Sequence, residues 1–193
     1  GHTWSEPKVI PTMGHDLLEI SHGILPLISG RLLAPGATLE SKDTLGRQVI
    51  AAVSDDGGET WPRHTVVFED PDGVHGCFEQ KLAAVEPGLL IAACWTIAMD
   101  GVEDREDHFT ISRDDGLTWS TPKSTGIMAQ TTTPIPLGGD RLLVLYNRRY
   151  GRLGVVMDLV TFTDDAWKVH FEGMMYDPNL TANRPTDIES GVE

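Results

Sequence analysis

Short apolar runs separated by polar turns make up most of the chain, and three pairs of them are each split by a glycine. The pairs are residues 23–28 and 32–34 around Gly30, 82–85 and 89–95 around Gly88, and 133–137 and 142–146 around Gly139. Such a pair reads as a β-hairpin, with glycine supplying the positive φ of the turn. A further run follows each pair, at 48–53, 108–111 and 154–162, and 66–68 and 169–171 come later still. No stretch holds a 3.6-residue apolar period over three turns, so the pattern predicts an all-β protein.

The third run of each unit leads into a recurring turn. Ser54-Asp55-Asp56-Gly57-Gly58-Glu59-Thr60-Trp61 and Ser112-Arg113-Asp114-Asp115-Gly116-Leu117-Thr118-Trp119 share the pattern Ser-x-Asp-x-Gly-x-Thr-Trp and lie 58 residues apart. Gly30 and Gly88 each precede their motif by 24 residues, and the same count from Gly139 reaches a shortened copy, Thr163-Asp164-Asp165-Ala166-Trp167. Trp4, 57 residues before Trp61, belongs to a copy cut by the first residue. In such a turn glycine permits the reversal, Asp and Ser bond to backbone N–H groups, and Trp fills the layer between neighbouring sheets; each of these roles is structural.

Strand, glycine turn, strand, loop, strand, motif turn, strand gives four antiparallel strands in roughly 50 to 60 residues, the unit of a β-propeller blade. The expected organisation is one propeller segment of about three blades. Residues 1–20 end a preceding blade, 21–70, 71–125 and 126–175 are blades, and 176–193 form a tail rich in Asn, Pro, Asp and Thr.

Composition narrows the partners. A formal charge of −14 repels a phosphate backbone and an anionic bilayer, so neither nucleic acid nor membrane is expected as a partner. No apolar run approaches the roughly 20 residues of a membrane span. Cys77 and Cys94 lack metal or redox spacing and read as buried free thiols, although both lie near ends of short apolar runs and a bridge across the hairpin stays open. No metal or cofactor is expected. Residues 100–107, with five acids and one Arg, read as a solvated loop.

The two full motifs, with the truncated and shortened ones, resemble the Asp-box or bacterial neuraminidase repeats of the sialidase superfamily, over most of the chain from Gly1 to about Gly173. Leu27-Ile28-Ser29-Gly30-Arg31-Leu32-Leu33 and Leu137-Gly138-Gly139-Asp140-Arg141-Leu142-Leu143 read like that superfamily's inner hairpins. The resemblance implies a six-bladed propeller, of which three blades are present. It also implies a sialidase-like glycoside hydrolase, secreted or periplasmic, acting on a terminal acidic sugar of the sialic acid kind. Such enzymes use a Tyr nucleophile activated by a Glu, a carboxyl acid/base and three arginines on the substrate carboxylate.

Nine residues before each hairpin glycine stand Ser21, Glu79 and Gln130, expected as equivalent positions at the mouth of the ring. By the resemblance Glu79 is the candidate catalytic base. Arg148 and Arg149, with His22 and Gln130, are candidate substrate contacts, and His75 lies near a mouth as well. The pattern departs from the family where Cys94-Trp95-Thr96 replaces a clamp arginine, and the first-blade Phe/Tyr-Arg-Ile-Pro motif is absent. Two readings therefore stand: a sialidase-like hydrolase or a fragment of one, and a non-catalytic propeller that binds glycan or protein. Either leaves terminal apolar blade faces open, so self-association or further blades is expected.

Overall fold

The computed structural model describes residues 2–39, 45–100 and 103–179; most of the tail, 180–193, and positions 101 and 102 of the acid-rich stretch lie outside them. Three antiparallel sheets follow one another in chain order. The first contains β1 (Leu18–Glu19), β2 (Leu25–Pro26), β3 (Leu32–Thr38), β4 (Gln48–Ser54) and β5 (Arg63–Glu69). The second contains β6 (His75–Glu86), β7 (Leu89–Ala98), β8 (Glu103–Ser112) and β9 (Lys123–Ser124). The third contains β10 (Gln130–Gly138), β11 (Arg141–Arg148), β12 (Gly154–Phe162) and β13 (Trp167–Tyr176).

Each sheet is a meander of four strands, except that β1 and β2 together form the innermost strand of the first and both pair with β3. The assembly is a partial β-propeller. Pro26, Pro134 and Pro136 all lie on innermost strands, where a residue without an N–H is tolerated because one edge has no partner. Gly30, Gly88 and Gly139 hold φ of 89°, 84° and 63° in the hairpin turns, as the spacing predicts.

The sheets stack through two apolar layers. Strand β7 is buried on both faces and deals its residues out alternately: Leu90, Ala92 and Cys94 join the layer beneath the first sheet, and Ile91 joins the layer beneath the third. Phe68 and Phe109 are the largest fully buried side chains, each worth about 1.5–3 kcal/mol of burial. The small Ala92, Ala93 and Cys94 let both neighbouring sheets approach closely. Cys77 and Cys94 are free and buried.

The motif turns tie these layers at the end remote from β6's start. In the first, Thr60 N–H and hydroxyl donate to Asp56 at 2.9 and 2.6 Å, and Gly58 N–H donates to Ser54 Oγ at 2.9 Å. The second repeats this with Thr118 on Asp114 at 2.9 and 2.6 Å and Gly116 on Ser112 at 2.8 Å. In the first turn the Thr60 hydroxyl, then the Thr60 N–H and the Ser54 hydroxyl, pull Asp56 down to about 2. Trp119 packs on the layer between first and second sheets and Trp167 on the layer between second and third, its ring 5.2 Å from Phe109.

The N-terminal segment forms no strand before Leu18, and Trp4 is exposed. Ile10, Met13, Leu18 and Ile20 instead lie over Ala34, Gly36, Ile50 and Ala52 on the outer face of the first sheet, around an apolar cavity of about 290 Å³. No helix among the described residues is long and apolar enough to cross a membrane.

Candidate functional site

The innermost strands of the second and third sheets bulge near their starts. In β6 the register passes from Phe78↔Trp95 to Lys81↔Ala93, so Glu79 and Gln80 oppose one residue; in β10 it passes from Gln130↔Asn147 to Thr133↔Leu145, so Thr131 and Thr132 do the same. The first bulge residue is left-handed in both, Glu79 at φ 48° and Thr131 at φ 60°. Thr131 is therefore the counterpart of Glu79, and Gln130 is the counterpart of Phe78. The count from the hairpin glycines is one residue out because Gly88 is the second residue of its turn, after Pro87, whereas Gly139 is the first of its own.

A left-handed backbone at a carboxylate and at a β-branched residue costs about 1–3 kcal/mol each. It turns alternate side chains apart. Gln80 is 2% exposed and donates to Ile50 O of the first sheet at 3.0 Å, while Glu79 is half-buried and meets the third sheet. Thr131 Oγ1 donates to Glu79 Oε2, Gln130 Nε2 lies 3.4 Å from Glu79 Oε1, and Glu79 N–H donates to Glu19 Oε2 at 3.2 Å. Two of the expected site residues, Glu79 and Gln130, are thus brought together. Lys81 donates its ammonium to Ser21 O beside them.

More carboxyl groups gather near this point. Asp107 is fully buried, accepts from the Thr132 hydroxyl at Oδ2, and has no hydrogen-bond partner at Oδ1 among the described residues. Burial, with the charges of Asp104 and Glu79 adding to it, raises Asp107 to about 8, so it holds a proton at neutral pH. Asp104 accepts from Trp95 Nε1 at 2.9 Å and from the Tyr150 hydroxyl, which reaches over from the third sheet. The stretch read as a solvated loop is in fact the start of β8 from Glu103 onward, and Asp107 shares the inward face with Phe109 and Ile111. That two-residue alternation was the available signal for a buried carboxyl group.

The remaining candidates lie apart. Arg148 Nη2 pairs with Glu172 Oε2 at 2.5 Å on the outermost strand and with the Tyr146 hydroxyl at 3.3 Å; these bonds push the guanidinium pKa up. Arg149 is exposed just beyond β11. His22 borders the apolar cavity over the first sheet and contacts Gly23 O through Nδ1 at 2.7 Å; burial, with Lys81 nearby, lowers its pKa. His75 pairs with Asp70 at 2.9 Å and lies 5.2 Å from the His108 ring, whose pKa falls through burial and the His75 charge. No group of three metal-ligating side chains occurs among the described residues.

No family model matches the chain, and no curated protein matches it. Solved structures do. The chain is similar to a protein of unknown function from Dyadobacter fermentans, with 19% identity and a TM-score of 0.68 over 82% of this chain and 45% of that one. It is similar to a Hadza microbial sialidase at 16% identity and TM-score 0.59, over 82% of this chain and 38% of that one. It is also similar to a Penicillium chrysogenum alpha-L-arabinanase, complexed with arabinobiose, at 20% identity and TM-score 0.53, over 80% and 49%. The chain spans less than half the length of each. At these identities the similarity shows the propeller fold, shared with glycoside hydrolases.

Proposed function

We propose that this chain supplies part of the substrate mouth of a propeller glycoside hydrolase, with Glu79 as the catalytic carboxylate acting as general base. The observation that carries the reading is the strained bulge: a non-glycine residue is held left-handed so that its carboxylate meets the next blade, between Gln130 and Thr131. Asp107 supports it. A buried carboxyl group that keeps its proton beside an accessible carboxylate is the pairing in which environment separates acid from base. Being buried, Asp107 does not reach a substrate itself; the Glu79 charge is one of the causes that keep the proton on it.

The sequence resemblance points to a terminal acidic sugar. The electrostatics of the mouth favour a neutral one. Glu19, Glu79 and Asp104 present carboxylates there, and the ammonium of Lys81 is engaged by Ser21 O. Arg148 would have to leave Glu172 to clamp an anion. Of the two hydrolase similarities, the arabinanase fits a neutral glycoside and the sialidase an acidic one, so the charge of the mouth decides between them. The non-catalytic reading, a glycan-binding propeller, is favoured by the end of β7, where Cys94 and Thr96 are fully buried at the place expected for a clamp arginine.

The test is turnover of a 4-nitrophenyl arabinofuranoside and of a fluorogenic sialoside by the chain and its Glu79→Gln variant, with binding of both sugars measured calorimetrically. Turnover of the arabinoside that is lost in Glu79→Gln while the fold persists supports the proposal. Equal turnover by both proteins overturns Glu79, and binding without turnover supports the second reading.

We further propose that a second copy of this chain covers the outer face of the third sheet. Ile135, Leu143, Leu145, Met157 and Leu159 stand in the register positions that Ala83, Ile91, Ala93, Phe109 and Ile111 hold in the second sheet, where the third sheet buries them. On the third sheet Ile135 and Leu159 are exposed.

A further inference from the structure

A groove of about 420 Å³ runs between the second and third blades, lined by Met128, Tyr146, Arg148, Tyr150, Asp158 and Glu172 among others. It lies within the usual range of small-ligand sites, about 300–1,000 Å³. Resting on the hydrolase reading above, we propose that this groove is a second saccharide subsite, which takes a neutral, hydroxyl-rich residue of a glycan whose terminal sugar sits at Glu79.

The floor is a built polar surface. Asp158 is 1% exposed, and its Oδ1 makes no hydrogen bond among the described residues. Tyr146 is 4% exposed and donates its hydroxyl to Glu172 Oε2 at 3.4 Å, while Arg148 pairs with the same oxygen at 2.5 Å. A buried carboxylate oxygen without a donor is unfavourable, and a ligand hydroxyl would satisfy it once the exposed Glu172 side chain moves aside. Glu172, with a side chain 52% exposed, is the movable part of this floor.

Charge sets the ligand class. Two carboxylates disfavour an anion, and the guanidinium between them disfavours a cation. What remains complementary is a ligand with both donors and acceptors and an apolar face. Tyr150, 49% exposed, and Met128, 37% exposed, offer that apolar surface at the groove edge. Aromatic rings serve such ligands by presenting an apolar body with a polar tip.

Continuity with the mouth comes through Tyr150. It lines the groove and its hydroxyl reaches Asp104, whose charge acts with that of Glu79 on Asp107. A linear glycan with its terminal residue at Glu79 would lay its next residues past Tyr150 into the groove.

The experiment is calorimetric titration of the full chain with L-arabinose and with linear arabinotriose, repeated on Tyr150→Ala, Asp158→Val and Glu79→Gln. Binding of the trisaccharide about tenfold tighter than the monosaccharide is expected, the scale of one charge-assisted hydrogen bond. That advantage should vanish in Tyr150→Ala and Asp158→Val and persist in Glu79→Gln. Tyr150 is a surface residue, so its variant reports even where Asp158→Val fails to fold. Equal affinities, no binding of either sugar, an advantage that survives Tyr150→Ala, or tighter binding of a sialylated trisaccharide would each overturn the subsite. An advantage sensitive to Tyr150 in a protein without turnover would retain the subsite and remove the catalytic reading; turnover without the advantage would do the reverse.

Discussion

Glu79 and Thr131 hold the same position in successive blades and bond to each other, the Thr131 hydroxyl donating to Glu79 Oε2 while both residues stay left-handed at φ 48° and 60°. Local preference opposes this geometry at both places. Glycine at position 79 would relieve it without disturbing a buried side chain. Glu79→Gly is therefore expected to raise stability by about 0.5–1 kcal/mol in chemical denaturation while removing the proposed activity. A loss of stability would mean that the bonds to Thr131 and Gln130 outweigh the strain, and that the bulge is held for structural reasons.

Asp107 gives the protein an unusual pH dependence. Its carboxyl group titrates near 8 in the folded chain against 3.8 for an ordinary aspartate, so between those values the folded state binds the extra proton. Stability from this group is full below about pH 4 and is lost as pH rises through 8, by on the order of several kcal/mol. Asp158, raised to about 6 by burial and by Glu172, adds a loss that ends earlier. His22 and His108 are depressed by burial and act in the opposite sense, only below the ordinary histidine range near 6.5. Urea denaturation from about pH 6.5 to 8 should thus show falling stability that is absent in Asp107→Asn. A rising or flat profile in the parent chain would show that Asp107 is ionised when folded.

The elements that were legible in the sequence are those fixed by local chemistry. A glycine forced to positive φ and a Ser-x-Asp-x-Gly-x-Thr-Trp turn can each be recognised within eight residues, so the hairpins at Gly30, Gly88 and Gly139 and the strands between them fall where the spacing puts them. Glu79 and Gln130 were reached by counting nine residues back from the hairpin glycines, a count that sets Gln130 one residue short of the true counterpart of Glu79. Thr131 was not, because a bulge inserts a residue without any local mark. Arg148 was legible as a basic residue at a strand end; its attachment to Glu172 depends on the register of β13, which carries its own bulges. Asp107 and Asp158 were hidden differently. Each is a polar residue on an otherwise apolar inward face, and only the alternation with Phe109 and Ile111, or with Val156 and Val160, reveals it.

Arg31 ties the motif turns of two blades. Its Nε donates to Asp55 at 2.7 Å in the first blade, and Nη1 donates to the carbonyl oxygens of Asp114 and Asp115 in the second at 3.3 and 3.0 Å. The side chain is only 16% exposed, so these charge-assisted bonds are shielded from water. Arg31→Ala is expected to destabilise by about 1–3 kcal/mol. Arg63, which shares Asp55 from an exposed position, serves as the control, and Arg63→Ala should change stability by at most about 1 kcal/mol. Thermal melts of the two variants decide the point: equal shifts would mean that the contacts to the second motif carry no stability.

The third sheet should make the chain self-associate. Its outer face exposes Leu159 at 40% and Phe171 at 50%, paired across β12 and β13, whereas the outer face of the first sheet lies under the chain's own Ile10, Met13 and Ile20. An apolar sheet face of this kind gains by burial in proportion to area. Sedimentation velocity at micromolar concentration is expected to show a dimer or a larger species. Leu159→Glu combined with Phe171→Glu should return it to a monomer with the same circular dichroism, because a carboxylate at either place would have to be desolvated in the contact. A parent chain that sediments as a monomer would exclude a second copy as the occupant and leave this face to a further blade.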